Sequence, residues 1–405
     1  MAESVPTSDA DTRAMLRLSM TPGIGPILIS RLHERFGSAP AILEAPLTHL
    51  QQVQGISAER ARAIRAGVDE AAIEAEVREA ASRGAMMISI DEARYPPLLK
   101  SIPDPPPILY VRGSLSPTDA FSVAIVGTRN CSAYGRDQAG RISAALAQRG
   151  LTIISGGARG VDSEAHRGAL RGGGRTIIIM GAGLSHHYPP ENESLFESVV
   201  SEGRGALVSE FPMRAGPNKE NFPRRNRIIS GMSLGTLVIE AGEHSGALIT
   251  ARLACEEHHR EVFALPGNVD SPRATGCHKM IREGWARLVT GAGDIVDSLE
   301  GSEHLVAGAL REAGVDAGER ASLFEQKGRE KGESPAGDSA ASIARLNLTP
   351  SQQRILDALD SSAVELDELS ARTGLPIHTL QADLTILQIR GLIGRTGLSA
   401  IERRK

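Results

Sequence analysis

The sequence has few cysteines, few aromatic residues and no long apolar run, and each absence excludes a class of protein. Its three cysteines, Cys131, Cys255 and Cys277, are too few and too widely spaced for a disulfide framework or a Cys-x-x-Cys metal site. No apolar run approaches the ~18 residues of a membrane-spanning helix. The N-terminus lacks the basic start and apolar centre of a secretory signal. We therefore expect a soluble, cytoplasmic protein with reduced thiols and no membrane contact.

An excess of positive charge is also missing, because 45 lysines and arginines stand against 49 aspartates and glutamates, a net charge of −4. This balance excludes a globally basic, nucleic-acid-coating protein but leaves room for a local basic patch. Aromatic residues make up only 3% of the chain, whereas glycine occurs 43 times. That composition favours an α/β protein with tight strand-to-helix turns over an aromatic-rich β-sandwich. The 405 residues correspond to two to four domains at about 100–200 residues each.

The middle of the chain repeats one pattern, in which a short apolar run is followed by helix-compatible sequence at intervals of about 25–30 residues. That interval is the length of one strand-loop-helix unit. Continuous rather than alternating Val/Ile runs are typical of strands that are buried on both faces. The pattern predicts a doubly wound, mostly parallel sheet. The runs are SVAIVG at 122–127, LTIIS at 151–155, RTIIIM at 175–180, GALVSE at 205–210, GTLVIEA at 235–241, EVFALPG at 261–267 and WARLV at 285–289.

Different sequence types flank this core, and we divide the chain into 1–90, 91–300, 301–345 and 346–405. The first segment is helical, and its turns at 22–26 and 54–57 resemble a helix-hairpin-helix, whose amides can hold a DNA phosphate. The alternative of glycines serving only as caps stays open. A proline-rich stretch, 95–107, forms a stiff connector into the core. The third segment reads as a flexible linker and the fourth as a winged helix.

Two glycine-rich loops follow predicted strands, at 127–132 and 155–160. In open α/β sheets, ligands bind beyond the carboxyl ends of the strands, where such turns point free amides at an anion. Arg129 and Arg159 place positive charge beside both loops. Because neither a Walker A loop nor a full dinucleotide fingerprint is present, we expect no nucleotide cofactor. A further loop, 240–250, starts its helix with Ser-Gly, although glycines alone also fit ordinary tight turns.

The strongest local signal is the segment NFPRRNR at 221–227. Residues 211–231 contain five basic residues and one acidic residue, which runs against the negative charge of the whole chain. The cluster argues for contact with a polyanion, and Phe222 is available to stack on a base. A solvated charged face is the alternative.

Residues for catalysis or metal binding are sparse in the sequence. The pairs at 186–187 and 258–259 are histidines without metal-ligating partners at a useful spacing, and His166 has no paired nucleophile. No HExxH motif occurs. The sequence therefore predicts a binding protein rather than an enzyme, with no metal.

Five motifs between residues 122 and 268 resemble, in the same order, those of the DNA-processing protein A family (DprA/Smf). This resemblance implies an extended Rossmann-like core between a helical SAM-like domain and a winged-helix domain. It further implies sequence-independent binding of single-stranded DNA, protection of incoming DNA and loading of the RecA recombinase during natural transformation. Dimerisation through the core is implied as well, without catalytic activity. The motifs are SVAIVGTRNCSAYG, IISGGARGVDSEAHRGAL, GAGLSHHYPPENESLF, VSEFPMRAGPNKENFPRRNRIISGMSLGTLVIEAGEHSGALITARLA and VFALPGN.

The basic loops chosen above coincide with the pocket that the resemblance implies. One departure is Gly157, where the family often has Leu or Met. The recombinase contact and the dimer face follow no transferable motif. The expected DNA-binding residues are Gly127, Thr128, Arg129, Ser132, Ser155, Gly156, Gly157, Arg159, Lys219, Phe222, Arg224, Arg225, Asn226, Arg227, Ser245 and Gly246.

Two other functions remain open. The segment 234–240 resembles the Gly-Gly-x-Gly-Thr-x-x-Glu motif of nucleoside-monophosphate phosphoribohydrolases, in which Glu240 would assist N-glycosidic cleavage. The Pro-Gly-Gly that precedes this motif in those enzymes is replaced by 230–233 here. Alternatively, the core is a scaffold and the winged helix binds DNA. Its candidate recognition helix, 376–383, carries no Lys or Arg, which suits a major-groove reader poorly.

Overall fold

The structure is a computed structural model that describes residues 10–299 and individual positions between 354 and 403. The chain separates into two compact units, Met1–Gly328 and Arg329–Lys405. The expected linker, 301–345, lies outside the described residues. The four-segment division of the chain therefore stays a prediction.

A nine-stranded sheet forms the centre of the first unit, in the order β1-β2-β6-β5-β4-β3-β7-β8-β9. Every apolar run singled out in the sequence contributes one strand, and the seven strands β3 to β9 pair in parallel. The predicted mostly parallel α/β sheet is confirmed. The strands are β1 (Ala85–Ser89), β2 (Ile108–Gly113), β3 (Ser122–Val126), β4 (Thr152–Ser155), β5 (Thr176–Ile179), β6 (Gly205–Ser209), β7 (Gly235–Val238), β8 (Glu261–Ala264) and β9 (Arg287–Leu288).

Strands β1 and β2 extend the sheet with an antiparallel pair at the β6 edge, which the sequence analysis did not anticipate. The first lies at the end of the segment that was expected to be helical, and the second begins directly after the proline-rich connector. That connector is anchored, because the hydroxyl of the buried Tyr95 donates to Pro106 O at 2.8 Å.

Fourteen α-helices surround the sheet within residues 10–299, together with short 3₁₀ segments and a π-helical turn. They are α1 (Ala10–Met20), α2 (Pro26–Phe36), α3 (Ala39–Glu44), α4 (Leu47–Leu50), α5 (Ala58–Ala66), α6 (Glu70–Ser82), α7 (Pro97–Lys100), α8 (Ala133–Gln148), α9 (Val161–Arg171), α10 (Glu193–Ser201), α11 (Asn221–Gly231), α12 (Gly246–Arg252), α13 (Thr275–Arg282) and α14 (Ala292–Leu299). None of the described helices has the length and apolar character needed to cross a bilayer.

The sheet is covered on both faces, which explains its continuous apolar runs. Along β3, Val123 and Ile125 pack with α8, α9 and α14 in one cluster. Their neighbours Ala124 and Val126 point to the opposite face and pack with α11, α12 and α13. Alternate residues of one strand therefore pack into two separate cores, as the two-residue period of a strand requires.

The N-terminal helices share their core with the sheet. Met15 and Leu32 belong to the same buried cluster as Ile178 of β5 and Phe196 of α10. Both expected hairpin turns precede helices: Gly25 stands directly before α2, and Ser57 caps α5 by accepting from Arg60 N at 3.2 Å. The helical segment is thus packed into the first unit.

The second unit contains a three-stranded antiparallel sheet in the order β10-β12-β11. Its strands are β10 (Val364–Glu365), β11 (Ile393–Thr396) and β12 (Ala400–Arg403). A separate core contains Ile355, Leu359 and Leu380. The hairpin expected near the C-terminus is confirmed in β11 and β12.

Candidate nucleic-acid interface

The order in which strands are added to the parallel sheet reverses at β3, because β4 lies on one side of it and β7 on the other. The connections that follow β3 and β7 therefore lead to opposite sides of the sheet, and ligands of such sheets bind at the carboxyl edge near this point. The predicted loops 127–132 and 155–160 both lie at this edge.

A buried carboxylate fixes the first loop. Glu240, which follows β7, accepts hydrogen bonds from the Ser132 amide at 2.8 Å and from its hydroxyl at 2.5 Å. Its carbonyl accepts from Thr128 N at 2.8 Å. Ser132 also caps α8 by accepting from Gly135 N at 3.0 Å. Ser132 and Glu240 are thus hydrogen-bonded to each other, and Ser132 is also bonded to the start of α8. The loop packs closely on Glu240, because a Cβ on Gly127 would lie only 3.0 Å from its carbonyl oxygen.

The second loop, 155–160, is held by hydrogen bonds to strand β3 and to Asn192. The Ser155 hydroxyl donates to Ile125 O at 2.6 Å inside the sheet. The amide of Asn192 donates to Gly157 O at 2.9 Å. Gly157 has a φ of 65°, and a Cβ there would lie 2.7 Å from Ile178 Cγ2. The left-handed backbone and the close packing together account for glycine at this position.

Arg225 supports the same loop from the interior of the protein. Its guanidinium donates to Gly156 O at 2.6 Å and to Ile179 O, which ties the end of β4 to the end of β5. Burial lowers the pKa of Arg225 to about 10, and the nearby Asp162 opposes that shift. Burial likewise raises the pKa of Asp162. Arg225 is only 3% exposed, so it is a structural cation beneath the loop.

Arg227 is also an interior residue. Its guanidinium pairs with the buried Glu210 at 2.6 Å and with the partly exposed Asp104 at 2.8 Å. These positions correct the expectation that every arginine of the 221–227 segment faces a polyanion. Two of its three guanidinium groups are already used by buried oxygens.

The other basic residues of the segment are accessible. The Arg224 side chain is 50% exposed, shares Glu210 at 3.1 Å and lies 5.4 Å from the Phe211 ring centre. Lys219 is exposed, and Asn226 is half-buried on α11. The segment thus presents less positive charge than its sequence suggests.

An aromatic pair lies beside the first loop. The rings of Phe222 and Tyr188 are 5.6 Å apart and inclined at 47°. The guanidinium of the exposed Arg129 lies 5.1 Å from the Phe222 ring centre, within the range of a cation–π contact. The second predicted arginine, Arg159, is exposed and pairs with Glu191 at 2.6 Å. Tyr188 was missed by the sequence analysis, although it follows a predicted strand and its glycine-rich turn.

The loop after β7 ends in a local cap. Ser245 accepts from Ala247 N at 3.3 Å and so begins α12, while Gly246 is exposed with open space around it. This helix has only seven residues. The expected amides of this loop are therefore partly used by its own cap.

Helix α6 anchors two further loops at the same edge. Glu79 accepts from the Ser185 hydroxyl at 2.8 Å and pairs with Arg214 at 2.6 Å. Those contacts lower the pKa of Glu79, with the Arg214 hydrogen bond as the main cause. One turn earlier, Glu76 accepts from Met213 N at 2.6 Å. The anchored loops lead to Tyr188 and to the 221–227 segment, and no sequence pattern marked this role of α6.

No group of three or more His, Cys, Asp or Glu side chains within the described part of the chain is arranged to hold a metal ion.

Comparison with known proteins identifies the family. The profile described as DNA recombination-mediator protein A matches residues 86–300, and that of the DprA winged helix domain matches residues 339–397. Protein Smf of Synechocystis is 34% identical over 402 residues, which cover 96% of this chain and 98% of that protein. The chain belongs to the DprA/Smf family.

Other members of the family agree with this assignment. DNA processing protein DprA of Bacillus subtilis is 40% identical over 218 residues, which cover 54% of this chain and 72% of that protein. The X-ray structure of DprA from Streptococcus pneumoniae superposes with a TM-score of 0.63 at 32% identity, covering 71% of this chain and 97% of that one. The chain is thus a DNA-processing protein of this family, with the family's winged-helix domain at its C-terminal end.

Proposed function

We propose that this protein binds single-stranded DNA without sequence preference at the carboxyl edge of its parallel sheet. The contact of Arg129 with Phe222 carries the proposal, because it places an accessible cation and an aromatic ring together at the carboxyl edge of the parallel sheet. A nucleotide offers the complementary pair, an anionic phosphate and a flat base. Every base can stack on an aromatic ring, so the pair binds DNA without a preference for its sequence.

The geometry favours a single strand over a duplex. Phe222 and Tyr188 form a tilted pair, and an aromatic ring can stack only on a base whose face is free. In a duplex that face is covered by the neighbouring base pairs. Arg129 and Arg159 are accessible cations beside this pair, and Lys219 and Arg224 are exposed in the neighbouring segment.

The buried residues near this surface hold its shape. Arg225 fixes the 155–160 loop from below, and Glu240 fixes the 127–132 loop against α8. The glycines of both loops allow backbone to approach backbone closely, and we assign them to this support and to phosphate contact through their amides.

Membership of the family supports a cellular role for this binding. We assign to the protein the protection of incoming single strands and the loading of RecA onto them during natural transformation. We further propose that it acts as a homodimer in the cytoplasm, where its partners RecA and single-stranded DNA meet.

We propose no catalytic activity. The alternative of a phosphoribohydrolase needs Glu240 free to assist cleavage, but its carboxylate accepts two hydrogen bonds from Ser132 and is 6% exposed. Glu240→Gln offers one acceptor oxygen for those two donors, so we expect α8 to become less stable. We expect no release of free base from nucleoside monophosphates, either by the unchanged protein or by this variant. Enzyme-dependent release of base from nucleoside monophosphates, abolished by this substitution, would support the enzyme instead.

The experiment for the main proposal is a binding titration with the full chain. Single- and double-stranded oligonucleotides of one sequence are compared, followed by single strands of unrelated sequences. We expect tight binding to every single strand and much weaker binding to the duplex. Equal affinity for the duplex, or strong preference for one sequence, would contradict the proposal.

A further inference from the structure

Two concave surfaces follow the line along which α8 packs on α9. The upper one is a cleft of about 210 Å³ whose arginines are Arg129, Arg136, Arg159 and Arg167. The lower one has Arg141 and Arg171 in its lining, and the two surfaces share Arg136 and Glu164. They are therefore continuous, and we call them together the α8–α9 groove.

Glycines bring the two helices close together and so form the floor of this groove. A Cβ on Gly168 of α9 would lie 2.4 Å from Gly140 O of α8. A Cβ on Gly140 would lie 2.4 Å from the Arg171 guanidinium, which crosses over that glycine. A larger residue at Gly168 would push the two helices apart, whereas one at Gly140 would displace the Arg171 guanidinium.

Positive charge exceeds negative charge along the groove. Its six arginines face three carboxylates: Glu191 pairs with Arg159 at 2.6 Å, Glu164 with Arg167 at 2.9 Å and Asp137 with Arg141 at 3.9 Å. Arg129 and Arg136 form no ion pair with any described residue. Exposed pairs of this kind contribute little free energy, so a phosphate can replace the carboxylate at small cost.

The groove begins at the aromatic pair. Arg129 lines its upper end and also lies 5.1 Å from the Phe222 ring centre. Arg159, on the same cleft, interacts electrostatically with Tyr188. A strand that leaves a base stacked on the pair therefore meets guanidinium groups at once, and these continue down α8.

We propose that the α8–α9 groove binds the sugar–phosphate backbone of the DNA strand beyond the nucleotide stacked on Phe222. This inference rests on the proposed function and adds a strand path to it. Arg136 and Arg141 are its phosphate contacts on α8. Their spacing along a helix requires no particular base, so the added contacts strengthen binding without adding sequence preference.

The test uses the full chain with Arg136 and Arg141 both replaced by alanine. Thymidine oligonucleotides of about 4 and about 16 nucleotides span the range of single-strand site sizes. For the long oligonucleotide we expect the slope of log K against log salt to flatten by about 1.4, or about 0.7 for each lost contact. That change corresponds to about a sevenfold difference in relative affinity between roughly 50 and 200 mM salt. The short oligonucleotide is expected to bind as it does to the unchanged protein.

Arg149→Ala is the matched control, because Arg149 follows the same helix, is exposed and lies outside the groove lining. It is expected to leave both slopes unchanged. An unchanged salt slope in the double variant overturns the strand path. An equal loss of affinity for the short and the long oligonucleotide also overturns it, because it would place these arginines beside the stacked base. Tight binding of free thymidine monophosphate that depends on Arg136 would assign the cleft to a small nucleotide instead. If Arg129→Ala also binds both oligonucleotides normally, the proposed function itself fails.

Discussion

Three arginines within one turn of α11 have different surroundings. Arg224 is half exposed, Arg225 is enclosed by backbone oxygens, and Arg227 is paired with the buried Glu210. A guanidinium in solvent is free to meet a phosphate, whereas a buried one neutralises the protein's own oxygens. Equal charge in the sequence therefore gives unequal roles.

We predict that Arg225→Ala destabilises the fold far more than Arg224→Ala. Removing one member of a buried charged group costs about 3–5 kcal/mol, because two carbonyls lose their donor and the buried Asp162 loses a nearby positive charge. The exposed Arg224 contributes less than about 1 kcal/mol. Chemical denaturation of both variants measures the difference. Similar stability for the two would show that the interior role of Arg225 is wrong.

His166 gives stability a defined dependence on pH. It is fully buried, and its Nδ1 is 2.7 Å from Thr176 Oγ1, which itself donates to Ile153 O. The Thr176 oxygen must therefore accept from a neutral imidazole that is protonated at Nδ1. Burial lowers the pKa of His166 to about 3, below the ordinary value of 6.5.

We predict that acid weakens the protein partly through this residue. Between pH 6.5 and 3 the unfolded state binds the extra proton, so the stabilisation is complete above 6.5 and is lost as the pH falls. At pH 5 the loss is about 2 kcal/mol. Denaturation of His166→Gln at pH 7 and pH 5 should show a smaller decrease than the unchanged protein. The same decrease in both would exclude His166 as the source.

Sequence reasoning located some of these residues and not others, for physical reasons. It found Arg129 because a glycine-rich loop after a parallel strand lies at the carboxyl edge, where ligands of such sheets bind. It could not place Arg225 and Arg227 in the interior, because Gly156, Asp104 and the other partners come from distant parts of the chain. Tyr188 lacked a neighbouring charge cluster to mark it.

At the scale of elements, the antiparallel strands β1 and β2 were missed because neither is followed by a long helix that completes the repeated unit; α7, after β1, has only four residues. The parallel strands were found because burial on both faces leaves a continuous apolar run. Helix α6 belongs to the segment expected to form a helical domain, and its acidic residues attach to loops of the core.

We predict that α6 controls the mobility of those loops. Replacing Glu76 and Glu79 with alanine removes hydrogen bonds to Met213, Ser185 and Arg214, each worth about 1.5–3 kcal/mol when one partner is charged. Hydrogen exchange should become about tenfold faster or more in residues 183–188 and 211–215. Affinity for single-stranded DNA should fall with an unchanged salt slope.

Glu74→Ala is the control for α6, because Glu74 lies on the same helix but pairs with Arg13 of α1. Its exchange in the two loops should match that of the unchanged protein. Normal exchange in the double variant as well would mean that the loops are held without α6.

At the scale of the whole molecule, the first unit contains every residue of the proposed DNA surface. The second unit has its own core around Leu359 and Leu380. Its candidate recognition helix carries no Lys or Arg. This division assigns DNA binding to the first unit and leaves protein contact as the role expected of the winged helix.

The salt dependence of single-strand binding tests the central claim most directly, measured in parallel for the unchanged protein, Arg129→Ala and Phe222→Ala. Arg129→Ala should flatten the slope of log K against log salt by about 0.7, the value of one phosphate contact. Phe222→Ala should keep the slope and lose about 1–3 kcal/mol of binding, because stacking depends little on salt. If both variants keep the slope and the affinity of the unchanged protein, the DNA does not bind at this edge of the sheet.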